Sequence, residues 1–318
     1  MSDKFMYQNA RVKSMEASLF TVQSVARLLD CTTVQSAFRA LLDMGFGAGV
    51  TMSDCDFDTL FLSEEEKAAA FLREFNVDGA LDAFLVQYDF LNLKALFKSK
   101  ITGKKAVTAP NGLYEVEQIK AWLDVEGQPE APVQFVKAIS ELKKLENVSP
   151  HAVDCIVDKC TYAYVFSTKK KMGKAAYEYF VRKVDGLNVG AFMRCKRLGL
   201  SKSYFEEGFI EGGELDFLPA IYELGTETLK EKCKRTPYEE TVAKVVDDGN
   251  LVAFEVEQDN ALLKVWKDKK DDMFSVAPIV AFYLTKITQI RVAKLAVAGI
   301  KNGVEQSQIR ERMREIYA

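Results

Sequence analysis

The side chains in this sequence able to hold a metal or attack a carbonyl are six cysteines, one histidine and a few carboxylate-rich stretches. The cysteines are Cys31, Cys55, Cys155, Cys160, Cys195 and Cys233. None forms a CxxC pair and His151 is the only histidine, so the clustering that a zinc site needs is missing. Single thiols in a reducing compartment are expected. His151 follows Pro150 and reads as a helix-start residue; a general base needs a nucleophile in view, and none is spaced to it. "SDCDFD" and "DDMF" do not complete the ligand spacing of a calcium loop. "GFGAGV" (Gly45 to Val50) contains Gly-x-Gly, but an amphipathic helix precedes it where a dinucleotide site needs a strand. No GxxxxGK[ST] phosphate loop is present. No catalytic residue, metal or cofactor is therefore expected.

The 318 residues, 48% hydrophobic and 28% charged, bury a sizeable core, and the length suits about two or three domains. A formal charge of −3 gives no support for a nucleic-acid partner held through phosphates. The opening "MSDKFMYQNARVKSME" has no apolar signal core. The most apolar run, "MFSVAPIVAFYL" (Met273 to Leu284), is too short to span a bilayer and is flanked by Asp272 and Lys286. The expectation is a soluble chain that meets a membrane only through partners.

Helices must do the positioning, because strand signals are scarce. Val12, Met15 and Leu19 open an apolar face. In "TTVQSAFRALLDMGFG", Thr32 and Gln35 have capping-box spacing, and Gly45 is placed to end the helix. In "SEEEKAAAFLREF", Ser63 is the expected cap. "LVAFEVEQ" (Leu251 to Gln258) alternates briefly but runs into a helical pattern, so helix is expected there. "VEGQPEAPVQ" (Val125 to Gln134) reads as a loop, with Pro132 opening the next helix. The fold class is all-α.

One sentence of this grammar occurs twice. "DFLNLKALFKSKITG" (Asp89 to Gly103) and "DGLNVGAFMRCKRLG" (Asp185 to Gly199) share Asp, Leu, Asn, Ala, Lys and Gly at equal offsets. Asp89 and Asp185 suit N-caps. Gly103 and Gly199 suit left-handed stops. The preceding words "FLVQYD" and "YFVRKVD" also agree, suggesting two aligned helices per copy. A third, degenerate copy is "VAKLAVAGIKNG" (Val292 to Gly303), where Gln289 and Val292 replace the Asp and Asn. Three similar helical subdomains with approximate internal three-fold symmetry are implied, spanning 1–113, 114–212 and 213–318. Lys98, Lys100, Arg194 and Lys196 near the helix ends either complement the helix dipoles or present basic groups to a partner. Gly212 and Gly213 fit a turn better than a phosphate cradle. The loops "KITGKKAVTAPNG" and "EEGFIEGGELD" are either surface connections or partner contacts.

These residues resemble the C subunits of the bacterial and archaeal V-type (A/V-type) rotary ATPases, relatives of the eukaryotic V-ATPase d subunit. "YQNARVKSMEASLF" looks like that family's opening helix, the two repeats like its Asp-x-x-Asn helices, "FIEGGELD" like its Phe-Ile-Pro-Gly-Gly-Glu-Leu segment, and Ala277 to Met313 like its closing helices. Glu211 stands where the family has proline, and the last repeat lacks the usual acidic residues and asparagine. The resemblance implies an all-helical, funnel-like, non-catalytic rotor subunit on the cytoplasmic face of the membrane. It implies central-stalk subunits and the proteolipid ring as partners, H+ or Na+ as the transported ion, and no small-molecule substrate. The alternatives are a free-standing helical interaction scaffold with the same fold and, with no feature in its favour, a hydrolytic enzyme.

Overall fold

A computed structural model of the protein describes residues 5–125, 130–146 and 148–316. The chain divides into two compact units, Met1–Phe75 with Val256–Ala318, and Asn76–Glu255. Helices and short connections account for both, with no strand among the described residues.

The first unit begins with α1 (Met6–Met15), α2 (Val22–Leu29), α3 (Val34–Asp43) and α4 (Phe57–Glu74). Capping sets where they start. Thr21 and Thr33 each close a reciprocal box with a serine three residues on, Ser24 and Ser36. The box on α3 is therefore one residue later than Thr32 and Gln35, because Ser36 both accepts from and returns a bond to Thr33. The α4 cap is Asp56, whose carboxylate accepts the Thr59 N–H at 3.0 Å. That bond also holds the Asp56 carboxyl below its ordinary range. Ser63, the expected cap, lies inside α4, buried, and donates to the Leu60 carbonyl. Gly45 ends the α3 region with φ 88°, as its spacing predicts.

The second unit starts with α5 (Asp82–Thr102), α6 (Val116–Asp124), α7 (Val133–Lys143) and α8 (Pro150–Ser167). Pro132 occupies the cap of α7 rather than its first turn. Residues 126–129 of the expected proline loop lie outside the described residues. α9 (Lys169–Arg197) follows, broken near its start at Gly173, and then α10 (Lys202–Gly208), α11 (Leu218–Ile221), α12 (Thr226–Lys232) and α13 (Glu239–Asp248). The repeated stretches and the words before them form one continuous helix in each case, α5 and α9, not two. α5 packs on α6 and α8 around Phe90, Phe135 and Trp122, with the Phe90 and Phe135 rings stacked at 4.1 Å. α9 packs on α10 and α11 around Phe192, Phe205 and Tyr222. Burying such a ring contributes about 1.5–3 kcal/mol.

α14 (Leu251–Lys267) is helical throughout, as expected for "LVAFEVEQ", and the chain then returns to the first unit as α15 (Ala277–Lys301) and α16 (Gln306–Glu311). α15 is the spine of that unit. It packs on α1, α2, α3 and α4, and buries Ile290, Ala293, Ala296 and Val297 against Leu28, Phe38, Leu41 and Leu60. Among the described residues no helix is long and apolar enough to cross a membrane.

Candidate functional site: two carboxylate clamps on repeated helices

Asp89 is fully buried in the middle of α5. A buried carboxylate costs several kcal/mol unless donors surround it. Three donors come from one returning loop: the backbone N–H groups of Gly112, Leu113 and Tyr114, at 3.2, 2.8 and 3.3 Å. Asn92, nearly a turn later on the same face, accepts the Ala109 N–H at 2.7 Å. The helix thus grips the loop at two points.

α9 repeats the device. Asp185, fully buried, accepts the Leu215 and Glu214 N–H groups at 2.9 and 3.1 Å and the Tyr238 hydroxyl at 2.5 Å. Asn188 accepts the Ile210 N–H at 3.0 Å and donates to the Ile210 carbonyl at 2.8 Å. Desolvation pushes the Asp185 carboxyl above its ordinary value, with the three donors opposing it. Burial, together with that bond to the carboxylate, pushes the Tyr238 phenol up. Asp89 and Asp185 are therefore not N-caps. Asp89 sits about two turns inside α5 and Asp185 more than three turns past the Gly173 break in α9, and each caps a distant loop instead.

Each loop brings a glycine to the carboxylate. A side chain on Gly112 would overlap the Leu85 carbonyl oxygen and the Asp89 carboxylate. One on Gly213 would overlap Asp185, and one on Gly212, at φ 104°, would overlap the Phe166 ring. Gly212 and Gly213 thus let the loop lie close against α9. The N–H groups of 109, 113 and 114 in the first loop match those of 210, 214 and 215 in the second, and the Tyr238 hydroxyl stands in for the Gly112 bond. A fixed-offset comparison misses the match because the loops return 17 and 22 residues after their asparagines. The second contains α10. The glycine beside each carboxylate was the one available signal.

The two copies also meet through equivalent positions. Phe84 and Phe180, aligned in the repeat, lie 4.9 Å apart, and Lys183 donates to its counterpart Gln87 at 2.6 Å. In the segment expected as a third copy, Gln289 is fully buried on α15, and neither of its amide atoms has a hydrogen-bond partner among the described residues. The returning chain is held there by other means. Ile309 sits against Gly299, and Gln306 donates to the Leu29 carbonyl.

The basic candidates are engaged within their own unit. Lys98 pairs with Asp154 at 2.9 Å, beside a Lys94–Asp158 pair at 2.7 Å, which ties α5 to α8. Lys100 pairs with Asp124 at 2.9 Å and holds that carboxyl below its usual range. Arg194 pairs with Glu255 at 2.6 Å, and the Lys196 ammonium lies 3.9 Å from the Tyr222 ring centroid. The paired groups remain roughly half exposed, so each pair is worth about 0–1 kcal/mol and can be exchanged for another partner. Neither Lys98→Met nor Lys100→Met is expected to cost more than about 1 kcal/mol in urea unfolding. A larger loss in either would show that the pair holds its two helices together more firmly than an exposed ion pair does.

The remaining chemistry is confined. His151 is the second residue of α8, stacked on Tyr204 at 4.0 Å, with Cys155 Sγ 3.4 Å from its Nε2 and Glu207 at 3.8 Å. Burial, then Glu207, pushes the Cys155 thiol up to about 11, so it is protonated at neutral pH and is no nucleophile. All six cysteines are free thiols. Among the described residues no three His, Cys, Asp or Glu side chains converge as metal ligands.

What the fold defines is an all-helical protein whose repeated helices grip their own loops through buried Asp and Asn. Residues 8–312 match the ATP synthase (C/AC39) subunit family, and the chain belongs to it. It is 23% identical to the C subunit of the V-type sodium ATPase of Enterococcus hirae, covering 83% of this chain and 84% of that one. It is 23% identical to the C subunit of the A-type ATP synthase of Thermococcus kodakarensis, over 98% and 91% of the two chains. The corresponding protein of Thermococcus gammatolerans is 25% identical, over 99% and 91%.

Proposed function

We propose that this chain is a non-catalytic rotor subunit of a V-type rotary ATPase or ATP synthase, coupling the central stalk to the membrane proteolipid ring during ATP-linked H+ or Na+ transport. The observation that carries the proposal is the family match over almost the whole chain, together with relatives named as the C subunits of such machines. It works at the cytoplasmic face of the membrane and meets the bilayer through its partners. The clamps suit the task. A body that passes torque must not let its loops yield, and a loop held by several charge-assisted bonds to a buried carboxylate is stiffer than one held by surface contacts. Lys98, Lys100, Arg194 and Lys196, with the loop at Gly212 and Gly213, are the proposed partner-facing groups.

Tagged protein recovered from gently solubilised membranes is expected to bring proteolipid and central-stalk subunits with it. Recovery alone, or with unrelated soluble proteins, would leave a free-standing helical scaffold. Reversing the charge at Lys98, Lys100, Arg194 and Lys196 together is expected to weaken assembly with helix content by circular dichroism unchanged. Undiminished assembly would assign those groups to intramolecular pairing alone.

A further inference from the structure

The glycine loop after α3 takes part in neither clamp, yet it walls a cleft of about 320 Å³ inside the first unit. Gly45 and Ala48 come from the loop, and Met15, Phe71, Phe282 and Tyr283 contribute apolar wall from α1, α4 and α15. Three charged residues line it: Glu64, Lys67 and Lys286. Two of them are committed to each other. The buried Glu64 carboxylate accepts the Lys67 ammonium at 2.7 Å and the Gly47 N–H at 3.0 Å. Gly47 is fixed there, since a side chain on it would approach Met52 Cε to 2.6 Å and Leu60 Cδ1 to 2.7 Å.

Lys286 is left over. Its ammonium makes one hydrogen bond, to the Ser18 carbonyl at 3.3 Å, and no ion pair among the described residues. Desolvation holds its pKa below the ordinary lysine value, and Glu64 offsets only part of that. A largely apolar cleft with one uncompensated ammonium fits an amphiphilic anion: the apolar wall rewards a chain, and the desolvated charge rewards a carboxylate.

We propose that this cleft binds a medium-chain aliphatic carboxylate, its head paired with Lys286 and its chain lying against Phe71, Phe282 and Met15. The volume is about ten times the ~30 Å³ share of one water in the liquid, room for a chain of about ten carbons. Each buried methylene tightens binding by about fourfold, so decanoate exceeds octanoate by about fifteenfold and longer chains gain no more. The inference is independent of the rotor reading, because it concerns the isolated chain.

The test is calorimetric titration of the full chain with sodium octanoate, sodium decanoate and octan-1-ol, all below their aggregation range. Octanoate is expected to bind at least about tenfold tighter than octanol, as an ion pair in an apolar wall would require. Lys286→Met is expected to erase that preference and leave octanol binding unchanged. Ala48→Trp, at an exposed position on the loop, is expected to abolish binding of all three. Equal affinity of the wild type for octanoate and octanol, or no binding of decanoate, overturns the proposal. So does decanoate binding that survives Ala48→Trp, which keeps the test decisive should Lys286→Met fail to fold. A capped peptide with an apolar C-terminal residue and a free carboxylate, binding where decanoate does not, would also overturn it and point to a partner's C-terminus.

Discussion

Asp185→Ala is expected to destabilise the protein by about 3–5 kcal/mol, one of the largest single-residue effects outside the apolar core. The substitution removes no apolar packing of note. It strands the buried Leu215 N–H and Tyr238 hydroxyl and the partly buried Glu214 N–H. Each stranded donor costs about 1–3 kcal/mol. Asp185→Asn is expected to cost less, about 1–2 kcal/mol, because the amide keeps one acceptor and the Tyr238 hydroxyl can turn to receive its N–H. Urea unfolding checks both, and hydrogen exchange checks the cause: the Glu214 and Leu215 amides should lose protection before the core does. A pH series tests the electrostatics. Burial lifts the Asp185 pKa above its ordinary 3.8, so the folded protein takes up this proton before the unfolded chain does. The contribution of this titration is full below the unfolded value and is lost as pH rises through the folded one. The stability gap between wild type and Asp185→Asn should therefore widen on acidification from neutral pH. A narrowing gap would mean that the three donors outweigh desolvation.

Much of this fold is legible locally. The helical class, the glycine stops and the duplication all follow from neighbours within a turn or two. Gly45, Gly103 and Gly199 stand at φ 88°, 68° and 65°, as left-handed stops must. The starts were harder. Thr32 with Gln35 and Thr33 with Ser36 satisfy the same spacing, and side-chain geometry alone chooses between them. Ser63 has the composition of a cap, but Asp56 opens the helix nearly two turns earlier. The clamps were not legible, although their residues were. An Asp followed by an apolar stripe looks like an N-cap when its donors are sought on its own helix. Here the backbone donors arrive from 23 to 30 residues downstream, across loops of unequal length, and the Tyr238 hydroxyl from 53. The Lys98 and Arg194 pairs were hidden for the same reason, since Asp154 and Glu255 stand on other helices.

The segment expected as a degenerate third copy contrasts with the two clamps. Where Asp is replaced by Gln289 and Asn by Val292, the backbone after α15 is not drawn to the helix by a carboxylate. A branched side chain, Ile309, fills the approach beside Gly299 instead. Burial of an apolar residue stabilises without fixing direction, whereas a carboxylate with several N–H donors fixes both position and orientation. The first two loops are thus held in one geometry, and the last segment is held by packing, by the Arg314–Asp259 pair at 2.9 Å and by scattered hydrogen bonds such as Glu315 N–H to Asn260 Oδ1 at 2.9 Å.

Gly112→Ala and Gly103→Ala separate steric fit from backbone conformation within the first copy. Gly103 has a left-handed φ and nothing within 4 Å of an added Cβ. Alanine there pays only for the backbone, about 1 kcal/mol. Gly112 is the reverse case. Its φ lies outside the left-handed region, but an added Cβ would overlap the Leu85 carbonyl oxygen and the Asp89 carboxylate. The carbonyl belongs to the interior of α5 and cannot retreat without breaking helix hydrogen bonds. The loop must retreat instead, and it then withdraws the Gly112, Leu113 and Tyr114 N–H groups from a fully buried charge. The expected cost is about 3–4 kcal/mol, overpacking plus a weakened clamp. Gly213→Ala should behave alike in the second copy, because its Cβ would meet Asp185 itself. The decisive comparison is a double mutant. With Asp89→Ala already in place, Gly112→Ala should cost markedly less, since the bonds it disturbs are gone and part of the obstruction with them. Strict additivity would show that the glycine and the carboxylate act separately, and that the loop is held by something other than the clamp.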